Sequence, residues 1–533
     1  MKMLSRWNIP VCVVAFALLS GLPYLIPHTG ILSLAAFVPL FLLADRLREE
    51  GRKHKFAIYY SAFLLFNILT TWWIWNVSPV GAAAAIILNA LQMTAIFAIA
   101  GWYGKQTGTG VSLLFFAVFW TAWEHVYYDI ELSWPWLALG NSFAGTTEAV
   151  QWYEIFGTTG GTLWILLCNI LIFLTINADE KRRKRLLCAM SAALVLIPIV
   201  CSLVRYLSFE EKGEPVEIVV VQPNVDPFAK YGVIGQEVLD ARLLELADSC
   251  LTPSTELIVT PETFTYNIDI DYPLSNPSIS GYRDFLASRG DTRMLLGALT
   301  TRFYKTALKP GRSSKQLRNG LWYDSYNTAM VLDSSGVCGH YFKSKLVPGV
   351  EIVPYSDILP FFGSLLEKFG GSATSYATQE RMEAIPCGKH KVGAMICYES
   401  IYGDYCRDAV KDGAGFMAVI TNDGWWGDTP GYHQHFNYAR LRAIEYRRDV
   451  IQAANTGTSG LIDQKGRILH STGWWKEDSF RAEVHSRTDI TPFARYGDVT
   501  GRFCTLAFLL SITAVLYAKG KRFFDGKCAA GKS

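Results

Sequence analysis

Charge is what this chain is short of. Asp, Glu, Lys and Arg make up 18% of its residues, against about 25% in ordinary soluble domains. Half of its 533 residues are hydrophobic, which argues against a single soluble domain and for a membrane protein. No sustained basic run with interleaved aromatics occurs outside short loops, so nucleic acid is not an expected partner. There are 11 cysteines but no C-x-x-C pair and no metal-ligand spacing, which removes the zinc-site readings and leaves no metal to expect. Cys12, Cys168, Cys188, Cys201 and Cys504 lie in apolar runs, where a thiol is a small packing group. No internal repeat or low-complexity tract is present.

Long apolar runs are there instead. A crossing helix needs about 20 mostly apolar residues, and eight candidates follow: 7–26, 31–44, 56–75, 80–102, 111–126, 161–176, 186–204 and 503–517. The second, fifth, sixth and last are short, and flanking Arg and Lys are expected to snorkel. More spans follow the first at once and no small-residue cleavage site is evident, so it reads as a retained helix rather than a signal peptide. Lys2 and Arg6, the cluster Arg46 to Lys55, Lys105, the run Lys181 to Arg185, and Lys519 to Arg522 all fall on one side if every span crosses. The loop 127–159 on the other side has no Lys or Arg. The bias toward cytoplasmic positive charge then places both termini in the cytoplasm and the long segment between spans seven and eight outside it. In that loop, Trp134 and Trp136 read as interfacial anchors. Glu124, ionisable inside apolar sequence, is a functional candidate or a structural hydrogen-bonding group.

Between the last two spans the rhythm changes. Short β-branched runs at 217–221, 257–260, 294–299, 328–332, 391–396, 416–421 and 450–453 read as buried strands. Segments 236–249, 281–288, 402–411 and 432–448 read as helices, the last with an ionic face of Arg440, Arg442, Glu445 and Arg448. An apolar cluster, Ile358 to Phe362 with Leu365, Leu366 and Phe369, is either core or a lid resting on the membrane.

Three motifs follow strands. Pro261-Glu262 puts a carboxylate after a buried strand, where partial desolvation suits a general base. Tyr341-Phe342-Lys343, before Leu346-Val347-Pro348, can turn an ammonium inward to hold a developing oxyanion. Ile396-Cys397-Tyr398-Glu399 ends a strand at a thiol before a helix, a setting for an activated nucleophile. Alone, each is more often a solvated turn, a surface lysine or a buried inert thiol.

Together, this Glu–Lys–Cys order resembles the nitrilase (carbon–nitrogen hydrolase) superfamily and, with several spans before the domain and one after, the apolipoprotein N-acyltransferases within it. The agreeing pieces include Gln222-Pro223-Asn224, Asn422-Asp423-Gly424-Trp425-Trp426-Gly427, Arg440-Leu441-Arg442-Ala443-Ile444-Glu445 and Asn455-Thr456-Gly457. The resemblance implies an α/β αββα sandwich over residues 211–490, outside the membrane, between a helical membrane domain at 1–210 and a last span with its tail at 491–533. It implies Glu262 as general base, Lys343 as oxyanion stabiliser and Cys397 as nucleophile. Glu351 would be a second carboxylate near the base, Tyr398 and Glu399 would shape the site, and Trp425 and Tyr231 would line a substrate path. It implies no cofactor, a phospholipid acyl donor such as phosphatidylethanolamine, a diacylglyceryl apolipoprotein acceptor, and residence in a bacterial inner membrane. Three positions depart from the family pattern: Pro348-Gly349-Val350-Glu351 for the usual Pro-Phe-Gly-Glu, Lys345 where histidine is frequent, and Tyr231 where Trp is frequent. A membrane-tethered amidase using the same three residues is the alternative reading.

Overall fold

The computed structural model describes residues 8–230, 232–358, 363 and 375–530. Tyr231 and most of the apolar cluster after Ile358 lie outside the described residues.

Helices occupy all eight expected spans: α1 (Ile9–Leu25), α2 (Val38–Glu49), α3 (Lys55–Thr71), α4 (Pro79–Thr107), α5 (Thr109–Tyr127), α6 (Tyr153–Ile176), α7 (Lys181–Ser208) and, at the other end of the chain, Val499–Ala530. Among the described residues, six stretches are long and apolar enough to cross a bilayer: Gly30–Glu49, Lys55–Asn76, Pro79–Thr107, Tyr153–Ile176, Lys181–Ser208 and Val499–Lys519. Ile9–Leu25 is shorter, and Thr109–Tyr127 is not among the six. Three spans expected to be short are not, the last among them at 21 residues. The second gains a 3-10 turn, Gly30–Ala35, before α2, and the sixth begins at Tyr153, with Gly157 at φ 65° breaking it near its start.

Aromatic rings fill the centre of this bundle. Phe16, Phe37, Phe63, Phe97, Phe116 and Trp120 are all buried and meet mostly edge to face, the arrangement their quadrupoles favour. Ser78 caps α4 by accepting from Gly81 N, with Pro79 in the first turn, where a missing N–H costs nothing. Helix α7 packs mainly on α6 and leaves Leu196, Ile197, Val200, Val204 and Leu207 exposed, as a lipid-facing helix should.

The rest of the chain builds two sheets. β1 (Glu214–Gln222), β2 (Thr255–Val259), β3 (Thr265–Asp269), β4 (Arg293–Tyr304), β5 (Lys315–Gln316), β6 (Trp322–Asp333) and β7 (Gly336–Phe342) form one with β14 (Asp478–Ser486), in the order β14-β1-β2-β4-β6-β5, with β3 on β4 and β7 on β6. β8 (Ile385–Cys387), β9 (His390–Ile396), β10 (Phe416–Thr421), β11 (Val450–Ala454), β12 (Gly460–Ile462) and β13 (Ile468–Ser471) form the other, in the order β13-β12-β11-β10-β9-β8. One apolar cluster lies between the sheets, joining β1 (Ile218) and β2 (Leu257, Val259) to β9 and β10 (Val392, Ile396, Val419). After β1 comes a single helical turn, α8 (Pro227–Lys230). A second cluster packs the outer face of the first sheet under α9 (Gln236–Asp248) and α10 (Pro277–Ala287) through Leu239, Leu243, Ile279 and Leu286. Against the second sheet lie α11 (Gly403–Lys411) and α12 (Pro430–Tyr446). The architecture is a helix–sheet–sheet–helix sandwich on a bundle of apolar helices.

Two expectations are corrected. Helix α12 does not present an ionic face to water: Arg442, Glu445 and Arg448 are at most 1% exposed and Arg440 9%. Its charges serve the joint with the membrane helices. Glu445 accepts from Thr158 N at 2.9 Å. Just past the helix, Arg447 donates to Glu154 at 2.6 Å and Gln151 Oε1 at 2.7 Å. Nor do Trp134 and Trp136 sit free as interfacial anchors. Trp136 is 1% exposed, its indole N–H donates to Gln434 at 2.6 Å, and the two rings stack at 5.2 Å beneath the sandwich. Burial with a partner for the indole N–H outweighs the interface preference. Glu124 accepts from Trp120, Leu139 N and Thr162 at 2.8, 2.9 and 2.6 Å, a structural post under the same loop.

Removing Glu445 leaves the Thr158 N–H without its acceptor and the buried Arg442 guanidinium, 2.7 Å away, without its counter-charge. Glu445→Ala is therefore expected to cost about 3–5 kcal/mol, read as a lowered thermal unfolding midpoint in detergent, and Glu445→Gln to cost less because the amide still accepts from Thr158.

Candidate active site

Glu262 follows β2 through Pro261. At Gly297 on neighbouring β4 a Cβ would stand 2.3 Å from Pro261 O and 2.7 Å from Glu262 Cα, so only glycine lets this backbone lie against β4. Thr263 next to it is left-handed, at φ 48°. Lys343 follows β7, and its N–H donates to Asn327 O on β6 at 2.8 Å. Cys397 ends β9 and opens a 3-10 turn, Cys397–Ile401, ahead of α11. The three strand ends thus come from both sheets.

Lys343 is 1% exposed and its ammonium lies 3.1 Å from Glu262 Oε1 and 2.9 Å from Glu351 Oε1. Burial alone would lower its pKa, but the two carboxylates outweigh that and hold it well above the usual lysine value. Asn327 Nδ2 donates to the same two oxygens, at 2.7 and 3.2 Å, so one cation and one amide keep two buried carboxylates apart. Glu351 Oε2 accepts from Val347 N at 2.9 Å, closing the turn in which Gly349 takes φ 79°. The displaced glycine of this chain therefore sits where the backbone needs it.

Cys397 has φ 53°, a left-handed conformation that costs a non-glycine residue about 1–3 kcal/mol. Hydrogen bonds on both sides hold it there. Ile396 N donates to Glu399 Oε2 at 2.9 Å. Cys397 O lies 3.0 Å from Ser400 Oγ and 3.0 Å from His435 Nε2. Glu262 and Lys343 are both near enough to act on the thiol's charge: burial and Glu262 push its pKa well above the ordinary value, and Lys343 pulls against them. The resting sulfur is a neutral thiol, and a base must take its proton.

Glu399 is fully buried. Besides Ile396 N it accepts from Tyr341 Oη at 2.6 Å, Ser344 N at 2.8 Å and Lys345 N at 3.2 Å. Tyr398 turns away from the thiol toward the membrane domain, donating to Ser133 O at 2.9 Å and stacking on Trp134. Trp425 meets Phe228 edge-on, while its neighbour Trp426 packs on Trp73, Trp136 and His435. Glu262, Lys343, Glu351 and Cys397 are brought together; Tyr398 and Glu399 support them from behind; Trp425 lies farther out.

Sequence reasoning missed four contributors. Asn327 sits mid-strand in a run that reads as core. Lys230, fully buried, donates to Glu262 O at 3.1 Å and Thr263 Oγ1 at 3.3 Å; burial brings its pKa down to about 7 despite Glu262. His435 and Asp423 stand 12 residues apart, with no local sign that they pair.

An α/β sandwich with a thiol at a strand end, carried on apolar helices, is a carbon–nitrogen hydrolase domain joined to a membrane domain. Residues 237–491 match the family model for carbon-nitrogen hydrolase, and residues 15–171 match that for the apolipoprotein N-acyltransferase N-terminal domain. The chain is 28% identical over 499 residues to the apolipoprotein N-acyltransferase of Chlorobaculum tepidum, 92% of each chain. It is 28% identical over 508 residues to that of Geobacter metallireducens, again 92% of each. Among solved structures, Nit3 of Saccharomyces cerevisiae, a nitrilase superfamily member, aligns at 16% identity and TM-score 0.35 over 52% of this chain and 92% of that one. The chain belongs to the apolipoprotein N-acyltransferase family.

Without Lys343, Glu262 and Glu351 would share a buried site with no cation, and one would have to take up a proton. Lys343→Met is therefore expected to cost about 3–5 kcal/mol, read as a lowered thermal unfolding midpoint in detergent, and Lys343→Arg to cost less because a cation remains between the carboxylates.

Proposed function

We propose that this protein transfers a fatty acyl chain from a phospholipid to the N-terminal amine of the S-diacylglyceryl-cysteine of apolipoproteins, by way of a thioester on Cys397. The observation that carries the reading is the buried Lys343 ammonium held between Glu262 and Glu351 beside a thiol on a left-handed turn, on a chain with six helices fit to cross a membrane.

The chemistry follows from the geometry. Among the described residues, both hydrogen bonds to the Glu262 carboxylate fall on Oε1, which leaves Oε2 to take the proton of Cys397. The thiolate attacks the acyl ester carbonyl, and Lys343 lies where it can stabilise the oxyanion. The ester C–O bond breaks, Glu262 returns the proton to the departing lysophospholipid oxygen, and the thioester remains. The acceptor amine then attacks the thioester carbonyl, Glu262 takes its proton, and as the C–S bond breaks that proton passes to the departing sulfur, restoring the Cys397 thiol and the Glu262 carboxylate as the amide leaves. This is covalent catalysis in two half-reactions, with ping-pong kinetics. Phosphatidylethanolamine is the proposed donor, and the loop charges support a sandwich on the extracytoplasmic side of a bacterial inner membrane with both termini cytoplasmic. Substrates that already reside in the bilayer then reach the site by lateral diffusion.

The test needs no acceptor. Incubating the detergent-solubilised protein with phosphatidylethanolamine is expected to add a fatty-acyl mass to the Cys397 peptide, absent in Cys397→Ala and lost when a diacylglyceryl peptide is added. A folded protein that gains no acyl group but hydrolyses small amides would instead be the membrane-tethered amidase.

A further inference from the structure

Directly behind the nucleophilic turn, two fully buried ionisable side chains face one another. His435 on α12 and Asp423, just after β10, are both 0% exposed. Nδ1 of the imidazole lies 3.1 Å from Asp423 Oδ1 and 3.3 Å from Oδ2. Nε2 lies 3.0 Å from the Cys397 carbonyl oxygen and 3.0 Å from Ser400 Oγ. A carbonyl and an ionised carboxylate only accept hydrogen bonds. Ser400 Oγ lies 3.0 Å from that same Cys397 carbonyl, so its one proton can serve either the carbonyl or Nε2. An imidazolium donates to both Asp423 and the Cys397 carbonyl, whereas either neutral tautomer sets a ring-nitrogen lone pair against one of those oxygens.

We propose that His435 is held as an imidazolium by Asp423, and that its positive charge, delivered through the Cys397 carbonyl, fixes the left-handed turn and favours the Cys397 thiolate. The assignment rests on the reading of Cys397 as nucleophile. It makes His435 a positioning and electrostatic residue that touches no substrate.

Three further observations agree with it. The Trp136 ring lies nearly parallel to the imidazole at 6.1 Å, and an aromatic face favours a cation. Gly457, at φ 123°, clears the space that Asp423 needs, since a Cβ there would stand 2.9 Å from Asp423 Cβ. Thr421 Oγ1 donates to Asp423 Oδ1 at 2.6 Å, fixing the carboxylate as an acceptor. Burial would lower the imidazole pKa, but Asp423, the Cys397 carbonyl and Glu262 together raise it above the ordinary histidine value. The charged groups facing the thiol are Glu262, Lys343 and Asp423 itself, whose carboxylate opposes the thiolate while the imidazolium it holds offsets it, with Glu351 beyond them. A histidine with a raised folded pKa contributes while protonated, so the contribution is present at low and neutral pH and lost as pH rises through that pKa.

The test is the rate of Cys397 alkylation by iodoacetamide in the full chain in detergent, from pH 6 to 10. Isotope-coded peptide mass spectrometry reads it, with the exposed Cys338 as internal reference. No lipid is involved, so the result is independent of which acyl donor or acceptor the enzyme uses. His435→Gln keeps a donor for the Cys397 carbonyl but removes the charge. At neutral pH it is expected to slow Cys397 alkylation about tenfold, the effect of one unit in the thiol pKa, with Cys338 unchanged and the melting temperature close to wild type. The two profiles are expected to converge on the alkaline side, where the wild-type His435 has lost its charge. A constant ratio at every pH, or no difference, would overturn the proposal. Should the variant not fold, the wild-type profile decides: it is expected to bend below a one-proton curve as the imidazolium is lost, and a simple one-proton curve throughout would sink the idea.

Discussion

The carboxylate of Glu399 is the interaction on which this site depends. Lys343 follows a strand of one sheet and Cys397 ends a strand of the other, so nothing in the ladder of either sheet fixes their separation. Glu399 does so by accepting from Ser344 N and Lys345 N on one side and Ile396 N on the other, with Tyr341 as fourth donor. A buried carboxylate is costly unless its lone pairs are filled, and here four donors fill them. Burial still raises the Glu399 pKa against the pull of those bonds. The backbone N–H groups it binds would otherwise be orphans at the ends of two strands. One side chain thus satisfies three of them while fixing the distance from ammonium to thiol.

The same economy joins the site to the membrane helices. Gln434 and His435 are consecutive on α12, and they serve opposite directions. Gln434 accepts from the indoles of Trp73 and Trp136 and donates to Thr70 O, all in the membrane domain. His435 reaches Cys397 O. Tyr398, one residue past the nucleophile, is bonded to Ser133 and stacked on Trp134. The loop between α5 and α6 is therefore a wall of the site. A displacement of the membrane helices would be felt at the thiol through two short chains of contacts, which couples the position of the sandwich over the bundle to the geometry of its chemistry.

How much of this is legible in the sequence follows from which forces leave a local mark. The seven expected strands are all present, because doubly buried strands are continuous β-branched runs. Of the strands that escaped notice, β5, β8 and β12 have only two or three residues, while β7 and β14, of seven and nine, are partly exposed and so lack a continuous apolar run. Cys397 and Glu262 stand out because each follows a recognisable strand before a turn, and Lys343 because it precedes the apolar Leu346-Val347-Pro348 turn. Asn327 does not, since its role depends on β6 lying beside β4 and on the turn that carries Glu351. Arg442 and Glu445 mislead for a related reason: a charged i, i+3 pair on a helix usually faces water, and only the fold shows that this one faces Thr158. Trp136 is the same lesson in an aromatic, an interface residue by type and a core residue by position.

The charges around the thiol also explain why it rests protonated. Burial, Glu262 and Asp423 oppose a thiolate there, against the pull of Lys343 and of the proposed His435 imidazolium. A permanently ionised cysteine would be a stronger nucleophile toward any electrophile and more open to oxidation. In the proposed mechanism Glu262 accepts the proton, which neutralises one of the carboxylates opposing the thiolate in the same step. Proton transfer thus converts a site that disfavours negative charge at sulfur into one with Lys343 partly released from Glu262. The ammonium is then free to meet the oxyanion at the moment that charge develops. The reactivity of Cys397 is in this way tied to the Glu262–Lys343 contact.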